Sequence, residues 1–291
     1  MIELLAQSVF SGLLAGAYYA LIALGLALVF GTMRVINLAH GDLVLLAGYV
    51  AYTVESRLGL DPLAALPVAL VVVGAAAIAI YALVARLERD RELSSLILTF
   101  GIGVMLTNAI TMTWSADIRS TGVAWYHDAT IIGDTLFAMN AELLFFVVGL
   151  ALSAAVWWWL EYTWYGRAVR AVASNRDAAK LMGVDPRLTE LASFAVAGLL
   201  ATVAGLALYT AKVVQPSLGQ YMTIKAFIIT VLAGMGSVPG VLAGALLLGV
   251  VESLTVTLAS SALQELAGMV LFLLVLLVLP SGLFGRARRR G

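Results

Sequence analysis

Long apolar runs separated by short polar breaks dominate this chain. The runs lie at residues 4–31, 41–56, 62–85, 93–113, 142–165, 188–211, 221–235, 238–259 and 263–284. Because a helix needs about 20 apolar residues to cross a bilayer, they predict eight or nine membrane-spanning helices. Two runs, 41–56 and 221–235, are short and follow polar breaks. We expect interrupted helices there, since irregular backbone at membrane depth survives only where protein buries it or water lines it.

The composition agrees with an all-α, polytopic bundle of membrane helices. Hydrophobic residues make up 62% of the 291 residues and charged residues only 12%, against about 25% charged in a soluble domain. Seventeen Lys and Arg balance seventeen Asp and Glu, so no basic field is present that could bind nucleic acid. The chain has no cysteine, which excludes disulfides, thiolate metal sites and thiol nucleophiles.

The distribution of basic residues predicts the orientation in the membrane. Twelve of the seventeen lie in three segments: Arg86, Arg89 and Arg91; Arg167, Arg170, Arg176, Lys180 and Arg187; Arg286, Arg288, Arg289 and Arg290. Short cytoplasmic loops collect Lys and Arg, so these segments should face the cytoplasm. The loop 114–141 has one basic residue and should face the other side, with the N-terminus. An Arg-rich tail inside requires nine spans; a re-entrant 221–235 would give eight.

The two broken regions, near 37–42 and 215–220, lie on opposite sides of this arrangement. They raise an inverted internal repeat as one interpretation, although no residue-by-residue self-similarity is evident. Gly12 and Gly16, and again Gly240 and Gly244, are four positions apart. This spacing of small residues is typical of closely packed membrane helices. We therefore expect these glycines to pack helices and to have no catalytic role.

No pattern of catalytic, cofactor-binding or metal-binding residues is found in the sequence. It lacks the Gly-x-x-x-x-Gly-Lys-Ser/Thr loop that binds nucleotide phosphates, so any ATP must be used by a partner. The glycine-rich stretch 234–240 follows no predicted strand and is interpreted as a turn between helices. The only histidines are His40 and His127, and neither belongs to a His-Glu-x-x-His zinc motif.

The segment 166–187 predicts a short helix inside a loop. Ser174 can cap its start, with Asp177 three residues on, while Lys180 suits the last turn and Gly183 the position just after the helix. A helix of roughly nine residues is unstable alone, so something must pack on its apolar side chains. Those side chains are Ala178, Leu181 and Met182. Either the helix lies on the membrane or on the protein's own loops, or it docks a cytoplasmic partner.

A further set of polar residues lies inside or beside the predicted helices: Asn37, His40, Asp42, Asn108, Lys225 and Glu252. Ionisable groups at membrane depth are costly, so each is a candidate for the translocation pathway. The first three either line a gate or satisfy the broken backbone, and we favour the second interpretation. We expect Lys225 and Glu252 to form a structural ion pair, and Asn108 to bridge two helices by hydrogen bonds.

Several segments together resemble one family of transport proteins. They are Gly166–Ala173, Ala179–Asp185, Met33–Asp42, Met222–Phe227, Val231–Gly240 and Leu279–Gly285. The 166–187 segment resembles the coupling loop of permease subunits of ATP-binding-cassette importers, in particular the LivH-type branched-chain amino-acid permeases. The other segments resemble further signatures of that family, and together they cover nearly the whole chain.

This resemblance implies a single permease domain over residues 1–291, with a cytoplasmic coupling loop at 166–187 and a periplasmic loop at 114–141. It implies a bacterial or archaeal inner-membrane importer of branched-chain or hydrophobic amino acids. The implied partners are a second homologous permease, two cytoplasmic ATPases that bind ATP and Mg²⁺, a periplasmic solute-binding protein and membrane lipid. The implied ATPase-coupling residues are Gly166, Arg167, Arg170, Ser174, Asn175, Asp177, Ala178, Lys180, Leu181, Met182 and Gly183.

Two alternatives stay open at this point. The same family could import another small solute, such as a different amino acid, an amide or urea. A self-sufficient, ion-coupled secondary transporter would instead need membrane carboxylates, for which Asp42 and Glu252 are the candidates.

Overall fold

The computed structural model describes residues 1–87, 90–133, 135–234, 236–279 and 282–284, and most of them are helical. The α-helices are α1 (Ile2–Met33), α2 (His40–Leu58), α3 (Leu66–Val84), α4 (Arg91–Trp114), α5 (Ala124–His127), α6 (Asn140–Tyr162), α7 (Trp164–Ser174), α8 (Arg176–Leu181), α9 (Pro186–Ala211), α10 (Leu218–Ala233), α11 (Val238–Leu258) and α12 (Gln264–Val278). Short 3₁₀ helices, Pro62–Ala65 and Ser261–Leu263, precede α3 and α12. An antiparallel hairpin of β1 (Ala129–Ile132) and β2 (Leu136–Met139) lies before α6.

Each of the nine predicted apolar runs is a helix in the structure. Within the described ranges, seven helices are long and apolar enough to cross a membrane. The other two predicted spans are α2, which carries Asp42, Glu55 and Arg57, and α10, which has only 16 residues. The protein is therefore a multi-pass helical membrane protein. Of the two helices predicted to be short, α10 is short, whereas α2 has 19 residues, as many as α3.

Contacts between helix termini define one end of the bundle, which we call the basic end. Arg91 at the start of α4 and Arg176 in α8 both bind Glu190 near the start of α9. The first two basic segments therefore lie at the same end, as the charge pattern predicts. Arg89 and the four arginines of the tail, in 286–290, lie outside the described residues.

The opposite end, which we call the loop end, is covered by the long loop between α4 and α6. Gln7 in α1 donates from Nε2 to the carbonyl oxygen of Phe137 at 2.8 Å. The Thr121 hydroxyl donates to Glu55 near the end of α2 at 2.7 Å. The start of the chain and this loop therefore share the loop end, as predicted.

The path of α10 distinguishes nine spans from eight. Before α10, Val214 exchanges two backbone hydrogen bonds with Arg119, at the loop end. After α10, Gly236 lies beside Gly31 at the basic end, where a Cβ on Gly31 would be 3.6 Å from the Gly236 Cα. The segment from Val214 to Gly236 therefore runs from one end of the bundle to the other, so the path of the described residues favours nine spans over eight.

Small residues bring α1 and α11 into close contact. A Cβ on Gly12 would lie 2.6 Å from the Cα of Val250, and one on Gly16 would lie 2.6 Å from the Cα of Leu246. Gly244 similarly packs against Leu232 of α10. The packing role predicted for these glycines is confirmed, and it explains why α1 is the most buried of the long apolar helices.

Both α2 and α10 begin in the interior of the bundle. The chain turns at Arg34, which has a φ of 54°, and re-enters the bundle so that α2 starts beside the middle of α1. There the His40 Nε2 lies 3.0 Å from the carbonyl oxygen of Ile22. The start of α10 meets the start of α2, where the Gly41 N–H donates to the Thr223 hydroxyl at 2.8 Å. We call His40, Gly41, Asp42, Gly219 and Thr223 the central junction.

The helices before and after α6 form an inverted repeat. From the central junction α2 runs to the loop end and α10 to the basic end. The packing is paired in the same way: α1 packs on α11 as α9 packs on α3, and α10 packs on α1 as α2 packs on α9. The two breaks also align at constant offset, a self-similarity that the sequence analysis missed. The matching pairs are Thr32 with Thr210, Arg34 with Lys212, Val35 with Val213, Asn37 with Gln215, and Gly41 with Gly219.

Candidate functional site

The 166–187 loop contains two helices, not the single short helix that the sequence predicts. The first, α7, begins after Thr163, whose hydroxyl oxygen accepts from the Gly166 N–H. It buries Ala168, Val169 and Val172 against the bundle and leaves Arg167 and Arg170 exposed. The prediction failed because α7 continues almost directly from the apolar run of α6, so the sequence shows no clear boundary between them.

The cap of α8 is Asn175, and the predicted cap Ser174 is the last residue of α7. The Asn175 side chain accepts from the N–H groups of Asp177 and Ala178, at 3.1 and 3.0 Å. Asn and Ser stabilise the N-cap position about equally well. The prediction therefore named a suitable cap residue but placed the helix start one residue too early. Asn175 has the extended backbone, with a φ of −154°, that a cap needs.

The end of α8 agrees with the prediction. Lys180 lies in the last turn, and Gly183 has a φ of 83°, a left-handed conformation that favours glycine. The Val184 N–H donates to the Ala179 carbonyl oxygen, and the Gly183 N–H to that of Lys180. This pair of hydrogen bonds is the Schellman motif, which ends a helix sharply. Pro186 then begins α9, with Asp185 as its cap.

An apolar ledge projects from the end of α8. Leu181 is 88% exposed and Met182 is 83% exposed, while Ala178 is also exposed and Ala179 is buried. Within the described parts of the chain nothing covers these side chains. Exposed apolar patches mark contacts with a protein or with the membrane, so the ledge is a candidate interaction surface at the basic end.

One buried carboxylate holds α8 to the bundle. Glu190 is 1% exposed and receives both terminal guanidinium nitrogens of Arg91, each at 3.2 Å. The Arg176 Nε donates to Glu190 Oε1 at 2.9 Å, an oxygen that also accepts from Arg91, and the three side chains form a triad. That hydrogen bond raises the pKa of Arg176 above its ordinary value. The triad joins α8, α9 and the start of α4, and the sequence analysis missed it because the three residues come from separate segments.

The polar residues of the first break lie close together but bind different partners. The Asn37 side chain accepts from the Ala39 N–H at 3.1 Å, and His40 contacts the Ile22 carbonyl as described above. Asp42 accepts from the Thr107 hydroxyl of α4 at 2.7 Å. All three are buried. Asn37 and His40 thus contact backbone groups, in agreement with the favoured interpretation, whereas Asp42 binds a side chain of α4; a role in gating stays a prediction.

The predicted ion pair between Lys225 and Glu252 is present. The Lys225 Nζ lies 2.7 Å from the Glu252 Oε2, inside the bundle between α10 and α11. Tyr19 was not anticipated: its hydroxyl accepts from Lys225 at 2.8 Å and donates to Glu252 at 3.0 Å. Gln264 also donates to Glu252, at 3.1 Å. The pair is thus hydrogen-bonded on several sides, as a buried pair must be to offset desolvation.

Asn108 does not bridge two helices, so this prediction is wrong. Its side chain is exposed and donates to the Val104 carbonyl oxygen of its own helix at 2.7 Å. It lies on the outward side of α4, whereas Thr107 faces Asp42 inside the bundle. Adjacent residues of α4 thus face opposite ways, Thr107 into the bundle and Asn108 out of it. The sequence alone does not indicate which of the two faces inward.

These features together define a class of protein: a polytopic helical membrane protein with two interrupted helices that meet inside the bundle and an exposed loop helix at one end. The fold resembles that of a solved structure, PsaBC from Streptococcus pneumoniae in complex with Fab, with a TM-score of 0.52, 15% identity, and coverage of 94% of this chain and 92% of that chain.

Comparison of sequences identifies the family. The model of the family "branched-chain amino acid transport system / permease component" matches residues 8–279, and the chain belongs to this family. LivH, the high-affinity branched-chain amino acid transport system permease protein of Salmonella typhimurium, is 31% identical over 96% of this chain and 95% of its own length. BraD of Pseudomonas aeruginosa, a permease protein of the same description, is 30% identical over the same shares.

Proposed function

We propose that this chain is one of two permease subunits of an ATP-binding-cassette importer that takes up branched-chain aliphatic amino acids across the inner membrane of a bacterium or archaeon. Similarity to LivH and BraD over nearly the whole chain supports this substrate class. The permease performs no chemistry on the amino acid. It provides the pathway, and the energy comes from ATP hydrolysis in other subunits.

The observation that carries this proposal is the apolar ledge of α8 and the way in which it is held. A cytoplasmic ATPase binds Leu181 and Met182, and a second ATPase binds the same loop of a homologous second permease. The solute-binding protein delivers the amino acid at the loop end. This arrangement places the Arg-rich segments in the cytoplasm, in accord with the positive-inside rule.

The Glu190 triad suggests how movement of α8 is transmitted. When the ATPases close on ATP, α8 moves with them, and Arg176 pulls on Glu190. Because Arg91 binds the same carboxylate, the start of α4 moves too. Thr107, further along α4, binds Asp42 at the central junction. The movement therefore reaches the starts of α2 and α10.

Co-purification and uptake test the proposal. The tagged chain, expressed with its partners, should purify with two ATPases and a second permease, and proteoliposomes should take up leucine only with ATP and the binding protein. Ala178→Arg or Leu181→Asp should abolish ATPase binding and substrate-stimulated ATP hydrolysis while the protein stays in the membrane. The matched control is Leu60→Asp, which changes a half-exposed leucine at the loop end and should leave ATPase binding unchanged.

Three results would contradict the proposal. They are leucine uptake by the purified chain alone, unchanged coupled transport in the α8 variants, and uptake of urea or an amide in place of leucine. The first would favour an ion-coupled transporter. The last would assign another solute to the same machinery.

A further inference from the structure

A polar cavity of about 450 Å³ opens at the loop end, between the last turns of α2 and α4. Side chains from α2, α4 and the loop after α4 line it: Tyr52, Thr53, Ser56, Arg57, Thr111, Met112, Thr113, Trp114, Ser115 and Arg119. The Trp114 Nε1 donates to the Thr53 hydroxyl at 2.8 Å, which ties the two helices together at the cavity. None of these residues belongs to the 166–187 loop or to the central junction.

The lining combines two cationic side chains, Arg57 and Arg119, with hydroxyl, apolar and aromatic groups. The Arg119 guanidinium lies 5.0 Å from the centre of the Tyr52 ring and 3.0 Å from an oxygen of Asp117. The Nε of Arg119 is buried without a hydrogen-bond partner. Arg57 is exposed and forms none of the ion pairs found among the described residues. Arg57 and the Nε of Arg119 are therefore left available to an anionic group, while the other side of the Arg119 guanidinium is held by Asp117.

We infer that this cavity is a loading site for a free α-amino acid, in which the substrate rests after release by the binding protein. Arg57 and Arg119 bind the carboxylate, and Asp117 attracts the ammonium group. The aliphatic side chain packs against Tyr52, Met112 and Trp114. This inference rests on the proposed function, and it adds a site and a set of recognition residues to it.

The cavity is connected to both breaks of the inverted repeat. Arg119 exchanges backbone hydrogen bonds with Val214, just before α10. Along α4, the Thr111 hydroxyl donates to the Thr107 carbonyl oxygen at 2.8 Å, and the Thr107 hydroxyl donates to Asp42 at 2.7 Å. A hydroxyl-bearing face of α4 therefore leads from the cavity to the central junction. An amino acid in this cavity is placed at the outer end of the contact between α2 and α4.

The test uses the complete transporter in lipid nanodiscs without the binding protein. The probe is a leucine analogue with a photoreactive diazirine, and labelled peptides are located by mass spectrometry. Labelling should fall on peptides that contain residues 52–57 and 111–119, and free leucine should compete with it while inorganic phosphate should not. Arg57→Gln should reduce labelling by about tenfold, the loss expected for one charge-assisted hydrogen bond. The control Lys212→Gln removes another cation at the loop end and should leave labelling unchanged.

The outcomes separate this inference from the proposed function. If the wild-type transporter takes up leucine with its binding protein but the cavity is not labelled, the loading site is wrong and the function stands. Competition by phosphate and not by leucine would assign the cavity to an anion such as a lipid phosphate, and would also overturn the inference. If no leucine uptake occurs under any condition, the proposed function itself fails.

Discussion

The central junction and the 166–187 loop both contain the start of a short helix, but they are stabilised in opposite ways. At the central junction each polar group is buried and has a partner within the chain, as the Asp42 contact with Thr107 illustrates. In the loop, α8 is held by its caps and by the Glu190 triad, and its apolar ledge is exposed. The stability of the isolated chain should therefore depend on contacts inside the bundle. Coupling to partner subunits should depend on the 166–187 loop.

Breaking the buried ion pair beside the central junction should have the largest effect on stability. Lys225→Met should cost about 3–5 kcal/mol, because the Glu252 carboxylate then remains buried without its cation. The measurement is chemical unfolding of the purified chain in detergent. The double variant Lys225→Met with Glu252→Gln should recover most of the loss. A single variant as stable as the wild type would show that the interior does not depend on this pair.

Adding a methyl group at the central junction should have the next largest effect. Gly41→Ala should cost about 1–3 kcal/mol or more, since its Cβ would overlap the backbone carbonyl of Gly219, which cannot move alone. Gly219→Ala is the comparison, because its Cβ would meet the Asp42 side chain, which can rotate. The same unfolding experiment should rank Gly41→Ala as the more damaging of the two. The reverse ranking would mean that Asp42 is fixed more firmly than the backbone.

Removing the α8 cap should have a smaller and local effect. Asn175→Ala should destabilise α8 by about 1 kcal/mol, whereas Ser174→Ala should be nearly neutral. Hydrogen exchange of the α8 amides measures this directly. Equal effects of the two substitutions would restore Ser174 as the cap, as the sequence alone suggested.

Leu181→Asp should have the smallest effect on the isolated chain, within about 0.5 kcal/mol, because the side chain contacts solvent there. The same variant should lose its ATPase partners. A loss of stability comparable to that of Gly41→Ala would contradict the contrast between the two regions, since it would show that the ledge packs within the chain.

The helical architecture could largely be predicted from the sequence because apolar runs of bilayer length have few alternative structures. The interruptions before α2 and α10 were predictable from the polar breaks, although α2 is as long as α3. The inverted repeat was not evident, because its two halves follow the same backbone path but have very few identical residues at equivalent positions. Gly41 and Gly219 match, but their neighbours His40 and Leu218 do not resemble each other.

The functional residues were predicted less evenly. The pairing of Lys225 with Glu252 could be anticipated since two opposite charges in apolar helices need each other. The Glu190 triad could not, because a carboxylate one turn inside a helix shows no preference for arginines roughly 15 and 100 positions away. The cavity at the loop end depends on how the loop after α4 folds, and such loops have no periodic pattern.

The close contact between α1 and α11 has a consequence for biogenesis. Gly12 and Gly16 reach their final neighbours, Val250 and Leu246, only after α11 has left the ribosome. Until then this face of the first helix must be shielded by lipid or by the insertion machinery. The α1 helix is thus late to acquire its native neighbours, and termination upstream of α11 would leave it without its principal packing surface.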